Sequence, residues 1–340
     1  MSIAKSSSKL FAAKLSGAAI QFLGIAFFAR QMGSSAIGTF FLFQALIGMF
    51  SIPTDLGLRG AVEKRISEGK FQGEFLASAI VLKIVAGVVI SLLILLFESY
   101  INGYLGEKLA ILLVFALLLQ KISQLSIVTL KGELRVGETA LIEFTRQAVW
   151  VGMGAALVLQ GFGVVGLIYS LLCGYVIELV WGWSKVSVKL RVPSRAHIYS
   201  ITDYSKYNVI SSVGGYVYSW MDIAIIGLFL TQSHVAAYEI AWRVANVVIL
   251  FSRAIANALF PQVSEWHSQG ADKQIEELIP NILTSSLIFV IPSFFGTLLL
   301  SDQILGIVFG PEYVFAGIVL IILMFDQVTE AVQVVFGHSL

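Results

Sequence analysis

Ionisable side chains interrupt long apolar stretches of this sequence at Lys14, Asp55, Lys83, Lys121, Glu143, Arg146, Glu178, Asp222, Glu239, Arg243, Arg253, Asp326 and Glu330. A charge held in hydrocarbon costs at least about 2.5–3.5 kcal/mol, so each needs a partner, a polar cavity or an interface. Spacing separates them into kinds. Glu239 and Arg243 stand four apart, and Glu143 and Arg146 three apart, so each couple shares a helix face and can form a structural ion pair. Lys14, Lys83 and Lys121 lie a turn or two from the ends of their stretches, near enough for the ammonium to snorkel to the interface. Asp55 follows Pro53 and precedes Gly57 and Gly60. That setting suggests a loosened helix whose freed backbone groups line a cavity. Arg253 has no acid within a helical turn on either side. It is the leading single residue for holding an anion, the alternative being a place at the membrane surface.

The motifs of soluble catalysis are missing. There is no GxxxxGK[ST] phosphate loop, no HExxH zinc motif and no GxSxG elbow. The histidines, His197, His234, His267 and His338, are scattered among loops and ends. No metal site, no cofactor and no enzymatic activity are expected. The single cysteine, Cys173, rules out a disulfide within the chain and reads as a small apolar filler. The formal net charge of +1 gives no sign of a nucleic-acid partner.

The elements that must position these charges are membrane-spanning helices. The chain is 57% hydrophobic and 13% charged, with mean hydropathy +0.87. Soluble domains carry about 25% charged residues, so the polar surface here is too small to cover a water-soluble globule. Crossing the hydrocarbon takes about 20 apolar residues. Stretches of that length run from Leu10 to Ala29, Ala36 to Gly57, Phe75 to Phe97, Ala110 to Leu130 and Ala140 to Gln160. Others run from Gly163 to Trp183, Val209 to Leu230, Val235 to Phe260, Ile279 to Leu300 and Phe315 to Phe336. That gives about ten spans. With the N-terminus in the cytoplasm, nearly all loop Lys and Arg, from Lys5 and Lys9 through Lys185, Lys189 and Arg191 to Lys273, fall on the inner side, while the outer side holds Arg30 and Lys108. That asymmetry fixes the orientation. Trp181, Trp183, Tyr216, Tyr218, Trp220, Trp242 and Trp266 read as an interfacial aromatic belt.

Connections are short apart from Leu58 to Glu74, the basic stretch Lys185 to Tyr207, and Pro261 to Leu278, which is expected to form a short amphipathic helix on the membrane. The basic stretch divides the chain into an N-terminal lobe of six helices (residues 1–184), a cytoplasmic linker (185–207) and a C-terminal lobe (208–340). Ser35-Ala36-Ile37-Gly38-Thr39-Phe40 joins the first two spans, and Ser233-His234-Val235-Ala236-Ala237-Tyr238 joins the seventh and eighth. Each is a polar turn, a small residue and then an aromatic at a helix start. A parallel repeat of this kind is a transporter signature, with the substrate route between the halves. The second half holds fewer spans than the first, so the C-terminal lobe is expected to be incomplete.

Several segments together resemble the polysaccharide flippases of the MOP superfamily (multidrug/oligosaccharidyl-lipid/polysaccharide). They are Phe27-Phe28-Ala29-Arg30-Gln31-Met32-Gly33, Ile37-Gly38-Thr39-Phe40, Asp55-Leu56-Gly57-Leu58 and Met221-Asp222-Ile223-Ala224-Ile225-Ile226-Gly227. Ala237-Tyr238-Glu239-Ile240-Ala241, Ala258-Leu259-Phe260-Pro261 and Phe309-Gly310-Pro311-Glu312-Tyr313 continue the series. The resemblance implies an all-α integral membrane protein, a two-lobed helix bundle of the MOP transporter type, working by alternating access. It implies a flippase for polyprenyl- or dolichyl-diphosphate-linked oligosaccharide in the cytoplasmic membrane. The partners would be that lipid-linked oligosaccharide, membrane lipids and a glycan polymerase or glycosyltransferases. On this reading Arg146, Arg243 and Arg253 are candidate anion contacts in the cavity, because guanidinium pairs well with phosphate. Asp55, Glu178 and Asp222 are candidate gating or ion-coupling groups. A MATE-like exporter of cations stays open, and would favour acidic over basic cavity groups. So does a non-transporting scaffold for glycan assembly. An intramembrane polymerase or ligase is disfavoured by the short outward loops.

Overall fold

Gly33, Gly57, Gly106, Gly161 and Gly310 all adopt positive φ, and each stands where one helix gives way to the next. At Gly57 the left-handed φ of 70° turns the chain directly behind Asp55. A residue with a Cβ would be strained in that conformation. In the computed structural model the helices are α1 (Ile3–Met32), α2 (Ser34–Asp55), α3 (Leu58–Ser67), α4 (Gln72–Leu96), α5 (Glu98–Leu105) and α6 (Ala110–Gly132). They continue as α7 (Val136–Leu159), α8 (Gly163–Lys185), α9 (Arg195–Phe229), α10 (Gln232–Ser268), α11 (Asp272–Val308), a 3-10 turn (Pro311–Ala316) and α12 (Gly317–Phe336). The structure describes the backbone of residues 3–55, 57–268 and 272–336. It describes side chains from residue 15 to 334, except 56, 207–208, 210–212, 216, 251, 254–277 and 279.

Each expected span falls on one long helix, to within two residues at its ends. Among the described residues, α2, α4, α6, α8, residues 280–308 of α11 and the segment 311–334 are long and apolar enough to cross a membrane. The protein is a multi-pass membrane protein. Helix α4 shows why most plainly. It buries Ser78, Lys83, Gly87 and Ser91, and exposes Val85, Val88, Val89, Leu92 and Leu96. A helix that hides its small and polar face and shows its aliphatic face is stable only where the surroundings are hydrocarbon.

The chain divides into two compact units, Met1–Val235 and Ala236–Leu340. In the first, α7 lies between α1 and α8, α6 packs on α8, and α9 packs on α2, α3 and α4. Aromatic residues fill its centre: Phe28, Phe40, Phe41 and Phe43 are fully buried, and Phe40 stacks on Trp150 with ring centroids 5.6 Å apart. In the second unit α11 packs along α12, and Ile249, Val290 and Ala331 form a small core.

The connections differ from expectation. Leu58 to Glu74, read as a loop, is largely helix α3, because Leu58, Ala61, Val62 and Ile66 recur at helical spacing and bury against Phe75, Leu76 and Leu125. In the basic stretch, residues 186–194 are extended and Ser194 then caps α9, its hydroxyl accepting from the His197 N–H. Glu133 holds that extended segment, accepting from the N–H groups of Ser187 and Val188 at 2.8 and 3.0 Å. The backbone is helical from Pro261 to Ser268 and from Asp272 onward. The amphipathic character expected there rests on side chains outside the described residues, as does the snorkelling of Lys14.

Candidate functional site

Four helices of the first unit carry polar residues inward, and a hydrogen-bonded network ties them together. On α8, Glu178 is 3% exposed. It pairs with Arg146 Nε of α7 at 2.7 Å and accepts from Ser123 Oγ of α6 at 2.9 Å. One turn earlier, Tyr175 places its ring 5.8 Å from the Arg146 guanidinium, and its hydroxyl accepts from Gln120 Nε2 at 3.0 Å. Gln120 Oε1 in turn accepts from Ser51 Oγ of α2 at 3.1 Å. Gly174 makes the α7–α8 approach close enough: a Cβ there would sit 3.0 Å from the Arg146 carbonyl oxygen. Beside this network, Arg59 donates to Gln124 Oε1 at 2.9 Å, and Lys131 stands 3.7 Å from Glu143.

These groups line adjoining cavities. One of about 190 Å³ is bounded by Arg59, Gln124, Lys131, Glu143, Arg146 and Glu178. The next, of about 270 Å³, shares Arg59, Gln120, Gln124 and Tyr175 and extends to Gln44 and Trp220. Together they form a polar groove walled by helices whose outer faces are apolar. Its charges balance, with Arg59, Lys131 and Arg146 facing Glu63, Glu143 and Glu178. Glu143 and Glu178 are each held by a base, whereas the described partner of Arg59 is an amide. A guanidinium has five donors, more than one amide or one carboxylate can accept, so Arg59 and Arg146 can bind an oxyanion without losing their present partners.

The expected pairing of Glu143 with Arg146 is not formed. Arg146 reaches across to α8 instead, where the buried Glu178 needs a cation more than the half-exposed Glu143 does. Snorkelling fails for two lysines. Lys83 is buried and bonds Asp55, and Lys121 is 2% exposed with no hydrogen-bond partner for its ammonium among the described residues. Asp55 therefore faces two buried ammonium groups, from α4 and α6. In the second unit, Glu239 and Arg243 do pair, at 2.6 Å. Arg253, without an acid within a turn on its own helix, receives Glu330 from α12. Asp222 lies half-buried on α9, its carboxylate accepting from the Ile223 N–H at 2.8 Å. Arg59, Lys131 and the glutamines of α2 and α6 were not among the expected site residues. Arg59 and Lys131 lie just outside the apolar stretches, and the glutamines are uncharged, so a search for charge within spans passes over both.

A family of polysaccharide biosynthesis proteins matches residues 27–316. The chain belongs to that family. Over 340 residues it is 55% identical to the "Probable low-salt glycan biosynthesis flippase Agl15" of Haloferax volcanii, spanning all of this chain and 72% of Agl15. Among solved structures it is similar to the lipid II flippase MurJ in its inward closed conformation, with TM-score 0.79, 14% identity, and 97% of this chain and 76% of MurJ covered. It also resembles an inward-facing multidrug resistance MATE transporter of the MOP superfamily, with TM-score 0.62, 17% identity, and 95% and 82% covered. At these identities the structural likenesses establish the fold, which is that of MOP transporters. For this family member, the paired turns at residues 33–40 and 231–238 acquire a physical counterpart. Ser34 Oγ donates to Ser233 Oγ at 3.0 Å, and a Cβ on Gly38 would fall 1.8 Å from the Gln232 carbonyl oxygen. The two turns are packed on each other.

Proposed function

We propose that this protein is a flippase that carries a polyprenyl- or dolichyl-diphosphate-linked oligosaccharide across the cell membrane by alternating access. The observation that carries this reading is the polar groove in the first unit, where Arg59 and Arg146 can meet phosphate oxygens. The likeness to Agl15 supports it. A diphosphate bearing sugars cannot cross hydrocarbon unaided. Guanidinium groups can replace its hydration, while the lipid tail stays in the bilayer. Two of the three acids of the groove, Glu143 and Glu178, already hold bases, which favours this over export of cations; Glu63 is the third. The protein then moves its substrate without chemical change. Arg243 and Arg253 are the proposed anion contacts of the second unit, each steadied by an acid. Asp55, Glu178 and Asp222 are proposed as gating or ion-coupling groups.

The Lys and Arg asymmetry supports a cytoplasmic N-terminus. The functional lobes are residues 1–184 and 208–340, joined by 185–207. The glycan polymerase or glycosyltransferases that make and use the substrate are the proposed protein partners.

The test is complementation of a Haloferax volcanii strain lacking Agl15. The unaltered gene should restore surface glycan. Arg59→Ala at equal abundance should lower the restored glycan by about tenfold or more, the loss of one charge-assisted phosphate contact. Failure of the well-expressed unaltered gene with several glycan donors would transfer the case to the exporter reading.

A further inference from the structure

Amide side chains are costly in a membrane interior unless something polar meets them. Gln44 lies in the middle of α2 and Gln124 in α6, and both line the wider cavity. Gln120, between them, is satisfied on both sides, by Ser51 and Tyr175. The other two are not. Gln124 accepts from Arg59, while its amide nitrogen has no partner among the described residues. Gln44 bonds none of them. Opposite stands Trp220, which the sequence places among interfacial aromatics. It lies near the start of the apolar segment Val217–Phe229 of α9, against α2. Gly48 permits that approach. A Cβ on residue 48 would lie 2.6–2.8 Å from three atoms of the indole, Nε1, Cδ1 and Cε2, so one face of the ring rests on the bare backbone of α2.

The resulting chamber combines an aromatic wall, an indole N–H, the Tyr175 hydroxyl and two amides with unspent donors and acceptors. Its one lining cation, Arg59, stands where the chamber joins the first cavity, and the remaining lining is not that of a phosphate site, which would present further cations. Nor is it that of an apolar drug pocket, which would not retain glutamines. Aromatic faces accept the C–H face of a pyranose, and primary amides match the donor and acceptor character of neighbouring hydroxyls. We propose that Gln44, Gln124, Tyr175 and Trp220 form a saccharide subsite, which holds the sugar next to the diphosphate while Arg59 and Arg146 hold the diphosphate itself. The inference rests on the flippase reading and adds to it a direction along the groove. The sugar end is at Trp220 and the phosphate end at Arg146, with Arg59 and Gln124 at the junction of the two cavities.

The test measures binding of two synthetic ligands to the purified protein in lipid nanodiscs: a polyprenyl diphosphate, and the same lipid carrying one hexose. The protein should bind the glycosylated lipid about tenfold more tightly, the yield of one or two net hydrogen bonds. Trp220→Ala and Gln44→Leu should each bring that ratio close to one and leave affinity for the sugar-free lipid unchanged. Gly48→Ala, which keeps every lining side chain but displaces the indole, should do the same. Arg59→Ala should weaken both ligands in parallel. Equal binding of the two lipids by the unaltered protein would overturn the subsite and leave the diphosphate reading standing. So would a parallel loss of both lipids in both Trp220→Ala and Gln44→Leu. Binding of neither lipid by the unaltered protein would overturn both readings.

Discussion

Asp55 is the residue whose removal should be most instructive, because two consequences of losing it can be separated. Its carboxylate and the Lys83 ammonium are 5% and 6% exposed, and Lys121, 2% exposed, stands close enough to feel both. Asp55→Asn keeps the shape and deletes the one anion in the cluster. Removing one partner of a buried ion pair typically costs about 3–5 kcal/mol, because the other charge is left uncompensated. Here two like charges are left, which argues for the upper part of that range. A loss of that size lowers Tm by roughly 6 °C in a chain of this length. Asp55→Asn combined with Lys83→Met removes the pair together, and so takes from Lys121 both an attraction, to Asp55, and a smaller repulsion, from Lys83. Replacing a whole buried pair by groups of like volume is often close to neutral, so the double variant should recover to within about 1 kcal/mol. Thermal unfolding of detergent-solubilised protein, followed by size-exclusion chromatography, reads both numbers. If Asp55→Asn shifts Tm by less than about 2 °C, or the double variant melts no higher than the single, the buried-pair reasoning is wrong. Transport gives the second consequence. Since Asp55 is proposed to couple or gate, the stable double variant should still flip labelled lipid-linked sugar at least about tenfold more slowly in vesicles, near 1.4 kcal/mol in the barrier. Full activity in that variant would reduce Asp55 to a structural role.

Two further outcomes follow from the packing and the loop charges. Gly38→Ala places a methyl where the Gln232 carbonyl stands, and that backbone group cannot rotate aside as a side chain does. Thermal unfolding should show a loss of about 1–3 kcal/mol, the usual cost of overpacking, and an unchanged Tm would mean that the two turns are not held together. On the cytoplasmic end of α7, the Arg135 guanidinium bonded to Glu138 holds that carboxyl below its ordinary range. A depressed folded-state pKa gives stability that is present above the unfolded value, about 4.3, and is lost as pH falls through the lower folded value. Glu138 is 41% exposed, so Glu138→Gln should cost less than about 1 kcal/mol at pH 7. That difference should shrink with salt and vanish in acid. A Tm difference that persists at a pH low enough to protonate the carboxyl in the folded state would assign the effect to something other than charge.

How far the sequence reveals this arrangement depends on the distance over which each feature is decided. Spans are decided by runs of about 20 neighbours, so they are legible, as is the Glu239–Arg243 pair, set by one turn of helix. Asp55 draws notice through Pro53 and Gly57, which act locally. Partners across helices are another matter. Lys83 and Asp55 are 28 residues apart, and Arg253 and Glu330 are 77 apart. Nothing in either neighbourhood announces the other. The local rule is misleading for Arg146, whose nearest acid in sequence, Glu143, loses to Glu178 on the adjacent helix. Helix α3 was hidden by its charges, although Leu58, Ala61, Val62 and Ile66 carry the helical period beneath them. The glutamines were hidden by a criterion. Hydropathy treats Gln44 and Gln124 as minor interruptions, yet an amide in hydrocarbon without a partner is nearly as informative as a charge.

The balance of charge in the groove is what a carrier requires, and it explains why acids stand where an anion is to bind. Arg146 without Glu178, or Lys131 without Glu143, would be a cation in a low-dielectric groove, expensive whenever the site is empty. A site with such bare cations would also bind diphosphate too tightly to release it on the far side. Partial pairing reduces both costs. Glu178 takes one edge of the Arg146 guanidinium and leaves further donors for a ligand. Arg59, against an amide rather than a carboxylate, remains the most available full charge. On this argument Glu178→Gln should tighten binding of the sugar-free diphosphate lipid and slow its release, so that affinity rises while flipping falls. Removing the acid from an ordinary ion pair would move only stability. Opposite movements of Kd and flip rate in one variant therefore test whether the groove is tuned for passage, and a parallel fall in both would return Glu178 to the role of a structural partner.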